Sequence, residues 1–170
     1  MADYISDYST VNTSADQLVG RQAKAYAAAI EDSVAANATL KFGRAFQKKA
    51  GVGELLTLSD LALINATQSL RIAMYSTAAN DLDNSNYNQY DMVRAGKSGY
   101  YVVDCEEAVT HADTVRVRLV VNGIDAAKVP GRFTKTADED KTAVIEGAFW
   151  EANNIVFLPD SIKLVLDNLA

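Results

Sequence analysis

Thr114 to Val121 reads Thr-Val-Arg-Val-Arg-Leu-Val-Val, and this stretch constrains the fold more firmly than the rest of the chain. On an extended backbone Val115, Val117, Leu119 and Val121 fall on one face, and Thr114, Arg116, Arg118 and Val120 fall on the other. A helix would scatter the same valines around its circumference. The stretch is therefore predicted to be a β-strand with one buried face and a solvated face carrying arginines. The rest of the chain must complete a sheet around it.

Similar patterns recur along the rest of the chain. Leu40, Phe42 and Phe46 alternate with Lys41, Gly43 and Ala45, and Gly43 marks a bulge or a close backbone approach. Gly51-Val52-Gly53 reads as a turn, and Glu54 to Leu58 as a short strand. Ser59 to Leu63 fits either a strand or one helical turn. Leu70, Ile72 and Met74 share a strand face, and Asn80 to Gln89 is a polar loop. Tyr90 to Ala95 and Ser98 to Val103 are predicted to form a hairpin through Gly96-Lys97. Asn122-Gly123 and Val129 to Phe133 read as turns. Thr142 to Trp150 alternates as one strand, which puts Phe149 and Trp150 on opposite faces. Asn153-Asn154 turns the chain into a final strand over Ile162 to Asp167. Seven to nine short strands without long intervening helices predict a mainly β fold, an antiparallel sandwich or jelly-roll-like barrel, over residues 38–170.

Residues 1–37 differ in composition, being rich in Ala, Asp, Ser, Thr and Asn, and cannot build a core alone. Gln22 to Ala36 carries good helix formers, with Val19, Tyr26, Ile30 and Val34 spaced for a narrow stripe. The alternative is an extended arm whose isolated anchors Tyr4, Ile5, Tyr8, Leu18, Tyr26 and Ile30 order on a partner. These six residues are the candidate contact set.

Charge and cysteine content exclude several functions. The net charge of −6 argues against a nucleic-acid or anionic-membrane binder. No apolar run approaches the roughly 18 residues of a membrane span, and the N-terminus lacks the pattern of a secretory signal. The single Cys105 excludes an internal disulfide and a multi-thiolate zinc site, and the lone His111 removes most histidine-based metal chemistry.

Cys105, Glu106, Glu107, His111 and Asp113 cluster in sequence, but no second cluster supplies further ligands, and a connection between two strands is the expected reading. Asp81, Asp83 and Ser85 imitate the start of a calcium loop. Asn86 then stands where glycine is required, and Met92 where a bidentate glutamate belongs. Arg116 and Arg118, with Lys128 and Arg132 nearby, could make a basic face, for which a solvated strand face is the simpler account. No catalytic residue, cofactor or metal is expected. A ligand-binding β-sandwich, such as a carbohydrate-binding module, would need Tyr87, Tyr90, Tyr100, Tyr101 and Trp150 to form an exposed aromatic platform.

Several spaced fragments resemble one family. They are Ile30-Glu31-Asp32-Ser33-Val34-Ala35, Phe42-Gly43-Arg44-Ala45, Arg94-Ala95-Gly96, Glu107-Ala108-Val109, Val115-Arg116-Val117-Arg118, Pro130-Gly131-Arg132-Phe133 and Ile145-Glu146-Gly147-Ala148-Phe149-Trp150. Their order and spacing over residues 20–170 are similar to those of the structural cement proteins that decorate tailed-bacteriophage capsids. The resemblance implies a jelly-roll-like body, an N-terminal segment running over neighbouring subunits, and no catalysis. The implied partners are the major capsid protein and neighbouring copies of the chain, as a dimer or trimer, with neither nucleic acid nor membrane. The implied location is the outer capsid surface of the virion, after synthesis in the bacterial cytoplasm.

Overall fold

The computed structural model describes residues 19–24, 29–76, 79 and 85–167. In chain order the strands are β1 (Ala29–Ala36), β2 (Leu40–Lys41), β3 (Ala45–Lys49), β4 (Val52–Glu54), β5 (Leu70–Ala73), β6 (Asn86–Tyr87) and β7 (Met92–Val102). There follow β8 (Arg116–Arg118), β9 (Phe133–Thr134), β10 (Thr142–Ile145), β11 (Phe149–Ala152), β12 (Ile155–Leu158) and β13 (Leu164–Leu166), and a short helix α1 spans Leu61–Thr67. The fold is mainly β, as its alternating patterns require.

One sheet runs β1-β4-β3-β5-β7-β12-β11, and β1 also pairs with β7, so the first five of these strands close into a ring. Within the ring only β1–β4 is parallel. A second sheet runs β13-β10-β8-β9, and β2 pairs with β6 alone. The smaller core cluster, with Val34, Phe42, Phe46, Ala73, Tyr87, Val93 and Ala95 among its members, fills the ring. The larger cluster lies between the outside of the ring, β11 and β12, and the second sheet, and includes Leu70, Ile72, Tyr101, Val115, Val117, Leu119, Phe133 and Trp150. Strand β5 therefore contributes to both cores, with Leu70 and Ile72 in one and Ala73 in the other. All four of its residues are buried. Complete burial of the Trp150 side chain contributes roughly 4–6 kcal/mol by apolar area alone.

Val115, Val117 and Leu119 are buried on the face that alternation assigns them. The pattern fails at Val121, which is 49 % exposed. Beyond Leu119 the chain leaves the sheet for a loop closed by Asn122 N–H donating to Lys128 O at 2.9 Å.

Four local expectations are corrected. Residues 29–36 are neither arm nor helix but strand β1, because pairing with β7 and β4 outweighs the helix propensity of their alanines and glutamate. No hairpin forms at Gly96-Lys97, since β7 runs unbroken through both. Gly96 is there for space, as a Cβ at this position would lie 2.6 Å from the Tyr101 ring. Thr142 to Trp150 is two strands in different sheets, separated by a turn in which Ala148 N–H donates to Ile145 O at 3.2 Å. The turn placed at Gly51-Val52-Gly53 falls on Ala50-Gly51, both at positive φ, and Val52 already belongs to β4. The Asn153-Asn154 turn forms as expected, but it leads into β12 over Ile155–Leu158, a strand that the alternation did not single out.

Ser59 to Leu63 resolves into a 3-10 turn leading into α1. The helix is too short to be stable alone, and side-chain amides tie it to the last strand. Asn65 accepts from Leu164 N–H at 2.7 Å and donates to Leu164 O at 2.9 Å. Gln68 does the same at Ile162, at 2.6 and 2.9 Å. These two amides satisfy backbone groups that a neighbouring strand would otherwise occupy.

Candidate interaction surface

The arginines of the opening strand are not on a solvated face. Arg118 is 1 % exposed; its Nε and Nη2 donate to the two carboxylate oxygens of Glu106, and its Nη1 donates to Asp138 Oδ2 at 2.7 Å. Arg116 Nε donates to both oxygens of Asp167, at 2.9 and 3.0 Å. Arg132 and Arg44 both donate to Asp104, at 3.0 and 2.7 Å, and Arg71 pairs with Glu31. Carboxylates drawn from distant loops thus neutralise the basic face that sequence proximity suggested. These pairs fix the connections around the second sheet instead of offering cations to a polyanion.

The hydrogen bonds from Arg118 hold the Asp138 carboxyl down to about 2, against an ordinary value of 3.8. A depressed folded-state pKa gives stability that is present above the unfolded value and is lost as pH falls through the folded one. The thermal midpoint is therefore expected to drop between about pH 4 and pH 2. Asp138→Asn should flatten that part of the profile, and parallel acid profiles for the two proteins would contradict this assignment.

The residues from Cys105 to Asp113 do not converge on one chemical centre. Glu106 is held by Arg118. Burial works to raise the Glu107 pKa, but bonds donated by the Thr134 and Thr136 hydroxyls and by the Lys135 and Thr136 amides outweigh it and leave it lowered. Asp113 caps Thr110, and the His111 Nδ1 lies 2.6 Å from Trp150 O. Burial, reinforced by Asp104, pushes the Cys105 thiol up to about 12, so it carries no thiolate at neutral pH. Among the described residues no group of three or more His, Cys, Asp or Glu is arranged to hold a metal. No helix among them is long and apolar enough to cross a membrane.

An aromatic platform does not form either, because Tyr87, Tyr101 and Trp150 are fully buried. Trp150 enters the core, whereas Phe149 faces the other way and is half-buried. There it lines up with Phe157 and Tyr100, its successive cross-strand neighbours on β12 and β7.

What the surface does present is apolar residues on well-bonded turns. Ile124 is fully exposed on a loop where Asn122 Oδ1 accepts from the Ile124 and Asp125 amides, at 2.9 and 3.3 Å. Tyr90 is 78 % exposed at φ 75°, an uncommon conformation for an aromatic residue, and exposed Met92 follows it at the start of β7. The Tyr90 turn is held by its own N–H donating to Ala36 O at 2.7 Å and by Asn88 N–H donating to Asp91 at 2.8 Å. Leu55 and Leu58, ahead of α1, and Leu63 within it are exposed as well. Sequence reasoning missed these positions, although an isoleucine directly after Asn122-Gly123 was a readable signal of an apolar loop tip. Of the six candidate contact residues, Ile30 lies in β1, half-buried and packed against the larger core. Tyr4, Ile5, Tyr8, Leu18 and Tyr26 lie outside the described residues.

Residues 8–160 match the family model described as structural cement protein (E217 gp24/Pam3 gp6), and the chain belongs to that family of phage capsid cement proteins. Its fold is similar to that of a chain in the capsid of Myoviridae Phage XM1, at 17 % sequence identity and a TM-score of 0.59, with 89 % of each chain covered. No curated protein matches the chain in sequence.

Proposed function

We propose that this cement protein binds the outside of the major capsid protein lattice and stabilises the head without catalysing a reaction. The family match over residues 8–160 carries the reading. The exposed Ile124 and Tyr90 on hydrogen-bonded turns support it, because a pre-ordered apolar group loses little entropy on docking. Each contact is modest. On a lattice, neighbouring copies joined as dimers or trimers would raise the effective concentration of every further contact. The protein would be made in the bacterial cytoplasm and reside on the outer surface of the virion, using neither nucleic acid nor membrane as a partner.

The N-terminal segment is proposed to add a second contact through Tyr4, Ile5, Tyr8, Leu18 and Tyr26. A truncation at Asn37 would remove β1 and open the ring, so the informative deletion ends at Leu18. The protein lacking residues 1–18 is expected to melt within a few degrees of the full chain and to co-sediment with cement-free heads at least tenfold more weakly. Undiminished sedimentation would remove the segment from the mechanism. A full-length chain that never sediments with heads would end the cement reading.

A further inference from the structure

An open cleft lies between residues 20–22 and the chain that follows β5. Gly20, Arg21, Gln22, Met74, Tyr75 and Arg94 line it, and its volume is about 350 Å³. Gly20 N–H donates to Val102 O at 2.7 Å and Tyr75 N–H to Gly20 O at 2.8 Å, so backbone bonds define the walls. The Arg21 guanidinium carbon sits 4.8 Å from the centre of the Tyr75 ring.

Arg21 differs from the arginines paired within the chain. Arg44, Arg71, Arg116, Arg118 and Arg132 each meet a carboxylate of this chain. Arg21 meets none among the described residues, and its Nε is enclosed without a hydrogen-bond acceptor. A chain with 22 acidic and 16 basic side chains has carboxylates to spare. An arginine stacked on an aromatic ring and open to a cleft is arranged to receive an anion from outside. The planar fork matches a carboxylate, and the ring holds it oriented before the partner arrives.

We propose that this cleft receives an aspartate or glutamate side chain of a capsid subunit, with Arg21 as its partner across the interface. The proposal rests on the cement reading and specifies one of its contacts. Charge complementarity selects an acidic partner group, and the open cleft beside Arg21 leaves room for that side chain.

The test compares the full-length protein with Arg21→Gln and Arg21→Lys by co-sedimentation with cement-free heads over a salt series, with thermal melting and sedimentation velocity alongside. Arg21→Gln is expected to weaken head binding roughly tenfold or more and to make the remaining binding less sensitive to salt. Arg21→Lys, which keeps the charge but loses the fork, is expected to fall between the two. Should Arg21→Gln melt far below the parent, the Arg21→Lys protein and the parent's salt dependence decide the question. Equal binding by all three proteins, with equal salt dependence, overturns the cleft while leaving the cement reading in place. Self-association of the parent that Arg21→Gln abolishes overturns the capsid subunit as occupant in favour of a second copy. Failure of the parent itself to sediment with heads overturns the cement reading and, with it, this contact.

Discussion

Arg118→Ala is expected to destabilise the fold by about 3–5 kcal/mol, which corresponds to a fall of roughly 10 °C in thermal midpoint for a chain of this size. The cost arises less from the lost guanidinium than from what it leaves behind. Glu106 is nearly as buried as Arg118 itself and would remain in the interior without a counter-charge, and Asp138, largely enclosed, would keep only Lys141 at 3.3 Å and the Asn122 amide. Denaturant unfolding measures the effect directly. Arg116→Ala provides the comparison, because Arg116 is partly exposed and should cost distinctly less. A loss below 1 kcal/mol for Arg118→Ala would mean that the loops carrying Glu106 and Asp138 can swing into water, and that the buried network does not fix them.

Gly131→Ala should be comparably damaging for a different reason. Gly131 has φ 88°, and a Cβ on it would stand 2.3 Å from the carbonyl oxygen of Ala45. Left-handed strain on alanine costs about 1–2 kcal/mol, and forced overpacking adds typically 1–3. The backbone cannot simply move away. Ala45 N–H donates to Gly131 O at 2.8 Å and Gly131 N–H donates to Arg118 O at 2.9 Å, so this one residue fastens the ring to the second sheet. The expected result is a loss of about 2–5 kcal/mol with a melting transition that remains single. A neutral outcome would show that the two sheets tolerate separation at this point.

The strand class and the inward valines were legible because period-two alternation is a local property that any one-faced strand must show. The Asn153-Asn154 turn was legible because asparagine tolerates the positive φ that a tight turn needs, and Asn154 takes φ 63°. What sequence alone concealed depends on partners far away along the chain. Arg118 looks solvated until Glu106 and Asp138 arrive from loops on either side. Gly96 looks like a turn until the Tyr101 ring occupies the space over it. Residues 29–36 look helical because propensity is read residue by residue, whereas their partners on β7, Met92 to Ser98, stand far along the chain. The surface was hardest to read. Ile124 and Tyr90 are ordinary residues in sequence, and only the bonded turns beneath them distinguish them from core residues.

The ring has a consequence for the order in which the molecule can form. Strand β1 and the segment around Gln22 both take their partners from β7, which leaves the ribosome only after some seventy further residues. Until then the first strand has β4 alone as a partner, in a parallel contact of two residue pairs, Ala35 with Val52 and Ala36 with Gly53, that is weak by itself. The beginning of the body must therefore wait for its middle, and β12 must then add to the same central strand. Closure of so many non-local pairs places this chain among slow folders, in the millisecond-to-second range.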